Sequence, residues 1–176
     1  MVLNRLIRRL SKVVFKIDFF FIKKKIKYLG INSKIEGGYF CGVENLSIGR
    51  AVYIGPDAYI NANGGVTIGD GTIIGPEFRV LSRNHDWKNS HVAPYDQGNI
   101  NKAVFIGKGC WFGLGVKVAP GVNIGDGVIV GMGVTVTQDL ASFSILKSPS
   151  QNALLRRDIE YIKKSIETEK YYMERD

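Results

Sequence analysis

Ile106-Gly107-Lys108-Gly109-Cys110-Trp111-Phe112-Gly113, continuing as Leu114-Gly115-Val116-Lys117-Val118-Ala119-Pro120-Gly121-Val122-Asn123-Ile124-Gly125, keeps one beat. A large apolar residue returns at every sixth position through Ile106, Phe112, Val118, Ile124, Val130 and Val136. Gly107, Gly113, Gly125 and Gly131 follow four of them directly. The same beat runs earlier through Ile48, Ile54, Ile60 and Val66, skips two residues, and resumes at Ile68, Ile74 and Val80. Strict repetition at a short period marks a solenoid. Three six-residue faces make one coil, each beat residue points into a triangular core, and coils stack about 4.8 Å apart through strand hydrogen bonds.

Smaller residues four positions after the beat, such as Ala58, Cys110 and Val122, fill the corners beside it. That makes Cys110 core filling rather than a nucleophile. Turns such as Gly69-Asp70-Gly71 and Gly125-Asp126-Gly127 supply the unusual backbone angles between strands. The repeat breaks once at length, over Asn84 to Ala103, and that stretch opens with Asn84-His85-Asp86. A polar loop held by a stiff scaffold is where chemistry is expected.

The chain has 176 residues, enough for one domain with a real core. Its formal charge of +8 is uneven. Residues 1–30 carry nine Lys and Arg against Asp18, and the rest balances. The basicity belongs to a tail rather than to the scaffold, which removes the main support for nucleic-acid binding. Within the tail, Leu3, Leu6, Ile7, Leu10, Val13, Val14 and Ile17 recur at helical spacing with basic residues between them. Residues 1–33 therefore read as a basic amphipathic helical segment that stops at Gly30 and Asn32. Peripheral contact with a membrane surface through residues 1–30 is one reading, and packing on the scaffold or a partner subunit is the other. No apolar run reaches the roughly 18 residues needed to span a bilayer. No secretory signal is expected, and Cys41 and Cys110 form no disulfide framework. The expected location is cytoplasmic, at the inner face of the membrane if the tail binds lipid.

Residues 34–147 form the predicted solenoid, with loop 84–103 extruded from it. Residues 148–176 form a predicted helical tail, in which Leu154, Leu155, Ile159 and Ile162 repeat helically over 152–172. Such a helix is suited to cap the open end of the solenoid, where strand edges would be unpaired.

The pattern aliphatic-Gly-x-x-small-x over residues 34–150 resembles the hexapeptide-repeat acyltransferases. The Asn-His-Asp loop followed by Cys110-Trp111-Phe112-Gly113 is similar to the maltose, galactoside and polysaccharide O-acetyltransferase branch. The resemblance implies a left-handed parallel β-helix, a homotrimer with sites between neighbouring prisms, and acetyl-CoA as co-substrate with no metal. It implies His85 as general base, since imidazole titrates near neutrality and can take a proton from a sugar hydroxyl. Acceptor contacts are implied for Asn61, Asn84, Asp86 and Trp111. Asn61 reads equally as a turn asparagine. Cofactor contacts are implied for Trp111, Gly113, Leu114, Met132 and Thr137. Two cations usual in the family are missing, at Thr137-Gln138-Asp139 and at Lys147-Ser148-Pro149-Ser150-Gln151. Lys147, Arg156 and Arg157 are the candidate replacements.

The resulting expectation is an O-acetyltransferase acting on a saccharide, in surface glycan biosynthesis. Transfer to an amine of an amino sugar, transfer to an antibiotic, and a non-enzymatic binding solenoid are the alternatives. A zinc site built from three histidines, as in γ-carbonic anhydrases, is disfavoured because the chain has only His85 and His91.

Overall fold

The computed structural model describes residues 20–89, 91, 93–147, 155–156 and 159–174. Most of the basic segment thus lies outside the described residues. Its end does not stand apart from the solenoid. Tyr28–Leu29 (β1) pairs in parallel with Leu46–Ile48 (β4), and Ile26 is buried. The first coil therefore begins at Tyr28, not Lys34. Gly30 and Asn32 do mark a turn, Asn32 at φ 60°, but this is the first corner of the prism. The backbone groups of Tyr28 and Leu29 find partners on the edge of β4, and that outweighs the helical spacing upstream.

Three parallel sheets form the prism. Sheet A continues from β1 and β4 through Val66–Ile68 (β7), Val104–Ile106 (β12) and Asn123–Ile124 (β15). Sheet B holds Lys34–Ile35 (β2), Tyr53–Ile54 (β5), Ile73–Ile74 (β8), Trp111–Phe112 (β13), Ile129–Val130 (β16) and Ser144–Leu146 (β18). Sheet C holds Gly38–Cys41 (β3), Ala58–Asn61 (β6), Arg79–Leu81 (β9), Lys117–Val118 (β14) and Thr135–Val136 (β17). Every beat residue from Ile48 to Val136 is buried, as are Ala58, Cys110 and Val122 beside them. The following glycine is required by stacking: a Cβ on Gly113 would lie 2.7 Å from the amide nitrogen of Met132 in the next coil.

Register explains the interruptions of the beat. Ile106 pairs with Ile124 and Phe112 pairs with Val130, so this coil has the expected eighteen-residue length, whereas Val130 pairs with Leu146 sixteen residues on. Ile48 pairs with Ile68 and Ile54 pairs with Ile74, twenty residues on. The two extra residues lie in the corner after Asn61, between sheets C and A. The 3-10 turn Val43–Asn45 occupies that corner one coil earlier, and the long loop leaves it one coil later.

The turn aspartates do more than tolerate tight angles. Asp70 Oδ1 accepts from the Arg50 amide at 3.0 Å, and Asp126 Oδ1 accepts from the Lys108 amide at 2.7 Å. Each carboxylate ties its coil to the one before it.

The C-terminal helix is Ile159–Glu167, shorter than 152–172. It lies beside the prism rather than across its end. Ile162 approaches Gly127, Ile166 approaches Gly109, and the Tyr171 ring lies on Gly71. One helical turn rises about 5.4 Å, close to the coil spacing of about 4.8 Å, so Ile162 and Ile166 meet the glycines of successive coils, and the chain beyond the helix brings Tyr171 to the third. Gly71 has φ 65° and no room for a Cβ beneath the ring. Arg50 then closes the segment: its guanidinium binds Glu174 at 3.1 Å and Glu169 at 2.7 Å, and lies 5.2 Å from the Tyr171 ring. The end of sheet B is covered instead by Leu155–Arg156 (β19), antiparallel to β18. Among the described residues, no helix is long and apolar enough to cross a membrane.

Candidate active site

The interruption folds as a hairpin. Arg83–His85 (β10) pairs antiparallel with Asn99–Asn101 (β11), placing His85 opposite Asn99. The base of the hairpin is closed by the Lys102 amide donating to the Ser82 carbonyl at 2.8 Å. Ser82 is fully buried, and its hydroxyl donates to the Asn61 carbonyl at 2.8 Å while accepting from the Gly64 amide at 2.9 Å. The prism thus fixes where the hairpin leaves. His85 stands exposed three residues from that anchor, with its ring stacked on Tyr95 at a centroid distance of 3.8 Å.

Asn61, Asn84 and Asp86 cluster around this root. Asn61 Oδ1 accepts from the Asn63 amide at 3.1 Å and from Asn63 Nδ2 at 2.7 Å. These are the bonds of a turn asparagine, and strand pairing with Leu81 sets Asn61 one coil before the hairpin's root. Asn84 Oδ1 accepts from the His85 amide at 2.9 Å. The Asp86 carboxylate accepts from Asn89 Nδ2 at 2.7 Å and from the amides of Lys88 and Asn89. The Asn89 side chain, with these amides, holds the Asp86 carboxyl below the ordinary carboxylate range. That carboxylate organises the loop locally.

Trp111, Gly113, Leu114, Met132 and Lys147 form a second group, on sheet B and at the corner between B and C. Trp111 sits between Ile73 and Ile129 and is 55% exposed. Leu114 and Met132 occupy equivalent turns in successive coils, and Met132 is 70% exposed. Lys147 follows in the same row, its carbonyl beneath Gly131. Trp111, Leu114 and Met132 thus leave exposed apolar side chains in a track along one edge. Thr137 lies elsewhere, just past β17 on the C–A corner. Arg156 contributes backbone pairing to Ser144, and Arg157 lies outside the described residues.

The structure therefore brings the predicted residues together in two groups, not one. His85, Asn61, Asn84, Asp86 and Thr137 occupy the C–A corner. The apolar track occupies the edge on the other side of sheet C. A site using both spans sheet C or is completed by a second copy.

Two features were missed from sequence. Tyr95 was hidden because nothing in the loop's pattern sets which residue folds back onto the histidine. The other is a groove of about 930 Å³ between the C-terminal segment and sheet B, with Trp111, Tyr161, Lys164 and Lys170 among its lining residues. The alternation of Lys with Leu and Ile was a signal for the helix, but not for its seat. Cys110 behaves as expected: burial pushes its thiol up to about 12, and Sγ donates to the Gly125 carbonyl at 3.2 Å. Among the described residues, no three His, Cys, Asp or Glu side chains converge as metal ligands.

Comparison with known proteins places this geometry. A family model described as the hexapeptide repeat of succinyl-transferase matches residues 45–75 and 103–138. Those two spans flank the hairpin. No curated protein matches the sequence at a significant level. Among solved structures, a hexapeptide-repeat-containing acetyltransferase from Vibrio cholerae O1 biovar eltor, complexed with acetyl coenzyme A, is similar at TM-score 0.68 and 21% identity, covering 79% of this chain and 75% of that one. A galactoside acetyltransferase in complex with coenzyme A has TM-score 0.64 and 26% identity, covering 77% and 67%. An N-acyltransferase from Bacillus cereus, in complex with dTDP and 3-hydroxybutyryl-CoA, has TM-score 0.67 and 16% identity, covering 87% and 95%.

Proposed function

We propose that the chain is an acetyl-CoA-dependent acetyltransferase of the hexapeptide-repeat type that acetylates a saccharide hydroxyl, with His85 as general base; the repeat model matched over residues 45–75 and 103–138 supports this reading. The observation that carries this reading is the position of His85, exposed at the root of a hairpin that the prism anchors through Ser82 and Lys102. In solution a sugar hydroxyl is a weak nucleophile at neutral pH. His85 accepts its proton as the oxygen attacks the thioester carbonyl, and returns the proton to the sulfur as the carbon–sulfur bond breaks.

Trp111, Leu114 and Met132 fit an acyl-CoA, because their exposed apolar edge matches its uncharged arm. Lys147 and Arg156 are the proposed cations for its phosphates, and Thr137 a further contact. Separation of the track from the His85 corner supports a homotrimer whose sites combine two copies. The acceptor class we propose is a glycan intermediate of surface polysaccharide biosynthesis. The basic N-terminal segment supports a location in the cytoplasm at the membrane's inner face, where a lipid-linked acceptor would be met.

Transfer to an amine is the second reading, favoured by the similarity to the N-acyltransferase from Bacillus cereus. Purified protein, acetyl-CoA and a panel of sugars and amino sugars distinguish the readings. Release of CoA with a product that loses its acetyl group in mild base is expected. A base-stable product identifies the amide instead. Absence of both CoA release and saturable acetyl-CoA binding would leave a binding solenoid.

A further inference from the structure

We propose that Tyr95 is a positioning residue for the His85 imidazole, holding its ring plane and stabilising the charge it carries between two proton transfers. This rests on the reading of His85 as the base. The two rings lie face to face, 3.8 Å between centroids and 12° from parallel, although both residues are exposed on a loop. Two exposed side chains do not keep such a geometry unless the backbone around them is set.

Here it is set on both sides. The Asp86 amide, next to His85, donates to the Gly98 carbonyl at 2.9 Å. The Gly98 amide donates to Asp96 Oδ1 at 2.8 Å, and the His91 amide donates to Asp96 Oδ2 at 3.4 Å. Asp96 adjoins Tyr95. Hydrogen bonds thus link Asp86, which follows His85, through Gly98 to the side chain of Asp96, which follows Tyr95, and β10–β11 pairing fixes the other end. The two carboxylates described in this loop are otherwise engaged, as is Arg83. Asp86 is committed to Asn89 and Lys88, Asp96 to Gly98 and His91, and Arg83 Nε donates to Asn101 at 2.8 Å. In the histidine sites best known from hydrolases, a carboxylate orients the ring and stabilises the imidazolium. At His85 the face of an aromatic ring is the group in contact.

The chemistry suits that contact. As the imidazole takes the hydroxyl proton, the oxygen–carbon bond forms and the ring becomes cationic. As the carbon–sulfur bond breaks, the proton leaves for the thiolate and the ring is neutral again. An aromatic face attracts the cation more than the neutral ring, so it favours the transition state over the ground state. The phenol hydroxyl is not required for this, but the ring is.

The test compares Tyr95→Ala and Tyr95→Phe with wild type in acetyl-CoA turnover, with His85→Ala in the same assay. Tyr95→Ala should lower kcat about tenfold, in keeping with the strength of an aromatic pair, with KM for acetyl-CoA within about twofold. Tyr95→Phe should restore kcat. NMR supplies a readout independent of activity. The chain has two histidines, so a His91→Asn variant assigns the ring signals. The carbon-bound protons of His85 should be displaced upfield by the tyrosine ring current in wild type and Tyr95→Phe, and relax in Tyr95→Ala. Unchanged kcat and unchanged His85 signals in Tyr95→Ala overturn the proposal, as does damage by Tyr95→Phe equal to that by Tyr95→Ala. A fully active His85→Ala instead removes the base on which the proposal rests, and Tyr95 with it.

Discussion

Along the A–B corner, turns of one shape repeat at Gly69-Asp70-Gly71, Gly107-Lys108-Gly109 and Gly125-Asp126-Gly127, and the C-terminal helix with the residues just after it lies across all three. Along the C–A corner, successive coils carry a 3-10 turn, a two-residue insertion and a hairpin. Both corners close the same prism over the same kind of buried residue. The regular one presents a row of glycines at the coil spacing, which is a packing surface. The irregular one can lengthen without disturbing its neighbours, because parallel pairing resumes at Val104 against Val66. The largest variation falls at the corner that holds His85, and that allows a hairpin to change while the prism persists.

The largest effect expected from separating the two is on activity alone. His85→Ala should lower turnover by about 10²- to 10⁴-fold, the range for loss of a general base, and leave the unfolding midpoint unchanged. Thermal melting beside the activity assay checks both halves, and a large loss of stability would mean the hairpin is part of the core. Inside the prism the order reverses. Phe112 is fully buried and packs edge-on to Phe78 at 5.5 Å. Phe112→Ala should cost about 3–5 kcal/mol in denaturant unfolding.

A pH effect of intermediate size tests the packing of the regular part. The Cys110 thiol is raised to about 12 by burial, above its value in the unfolded chain. The unfolded chain therefore loses this proton first as pH rises. Stability from this group is full below the unfolded pKa and falls on approach to pH 12, reaching a loss of about 2 kcal/mol near pH 10. Cys110→Ala should flatten that alkaline slope relative to wild type, and parallel slopes would place the thiol in contact with water. The smallest effect is expected at the A–B corner. Arg50→Ala should change global stability by under about 1 kcal/mol, since its partners are partly exposed, yet speed tryptic cleavage at Lys163, Lys164 and Lys170. An unchanged cleavage rate would show that Tyr171 and the isoleucines hold the segment without the ion pairs.

How much of this was legible in the chain differs residue by residue. The beat from Ile48 to Val136 announced a triangular solenoid because each face repeats the same burial, and one period suffices to describe it. His85 was legible as the residue at the interruption. The seat of the C-terminal helix was not. Its helical spacing says that one face is apolar, and nothing in it distinguishes the open end of the prism from a row of glycines along its side. Tyr28 and Leu29 were misassigned to the helical tail because a strand of two residues has no period of its own.

The sequence by itself determined the prism, its eighteen-residue coil and the corner at which the repeat gives way, because those follow from local periodicity and side-chain size. Only the tertiary structure decided that the predicted residues fall on two edges, that Tyr95 covers His85, and that Tyr171 lies on Gly71. Those are meetings between residues far apart in pattern or in chain. They depend on which backbone groups find partners across space, and no spacing along the sequence records that.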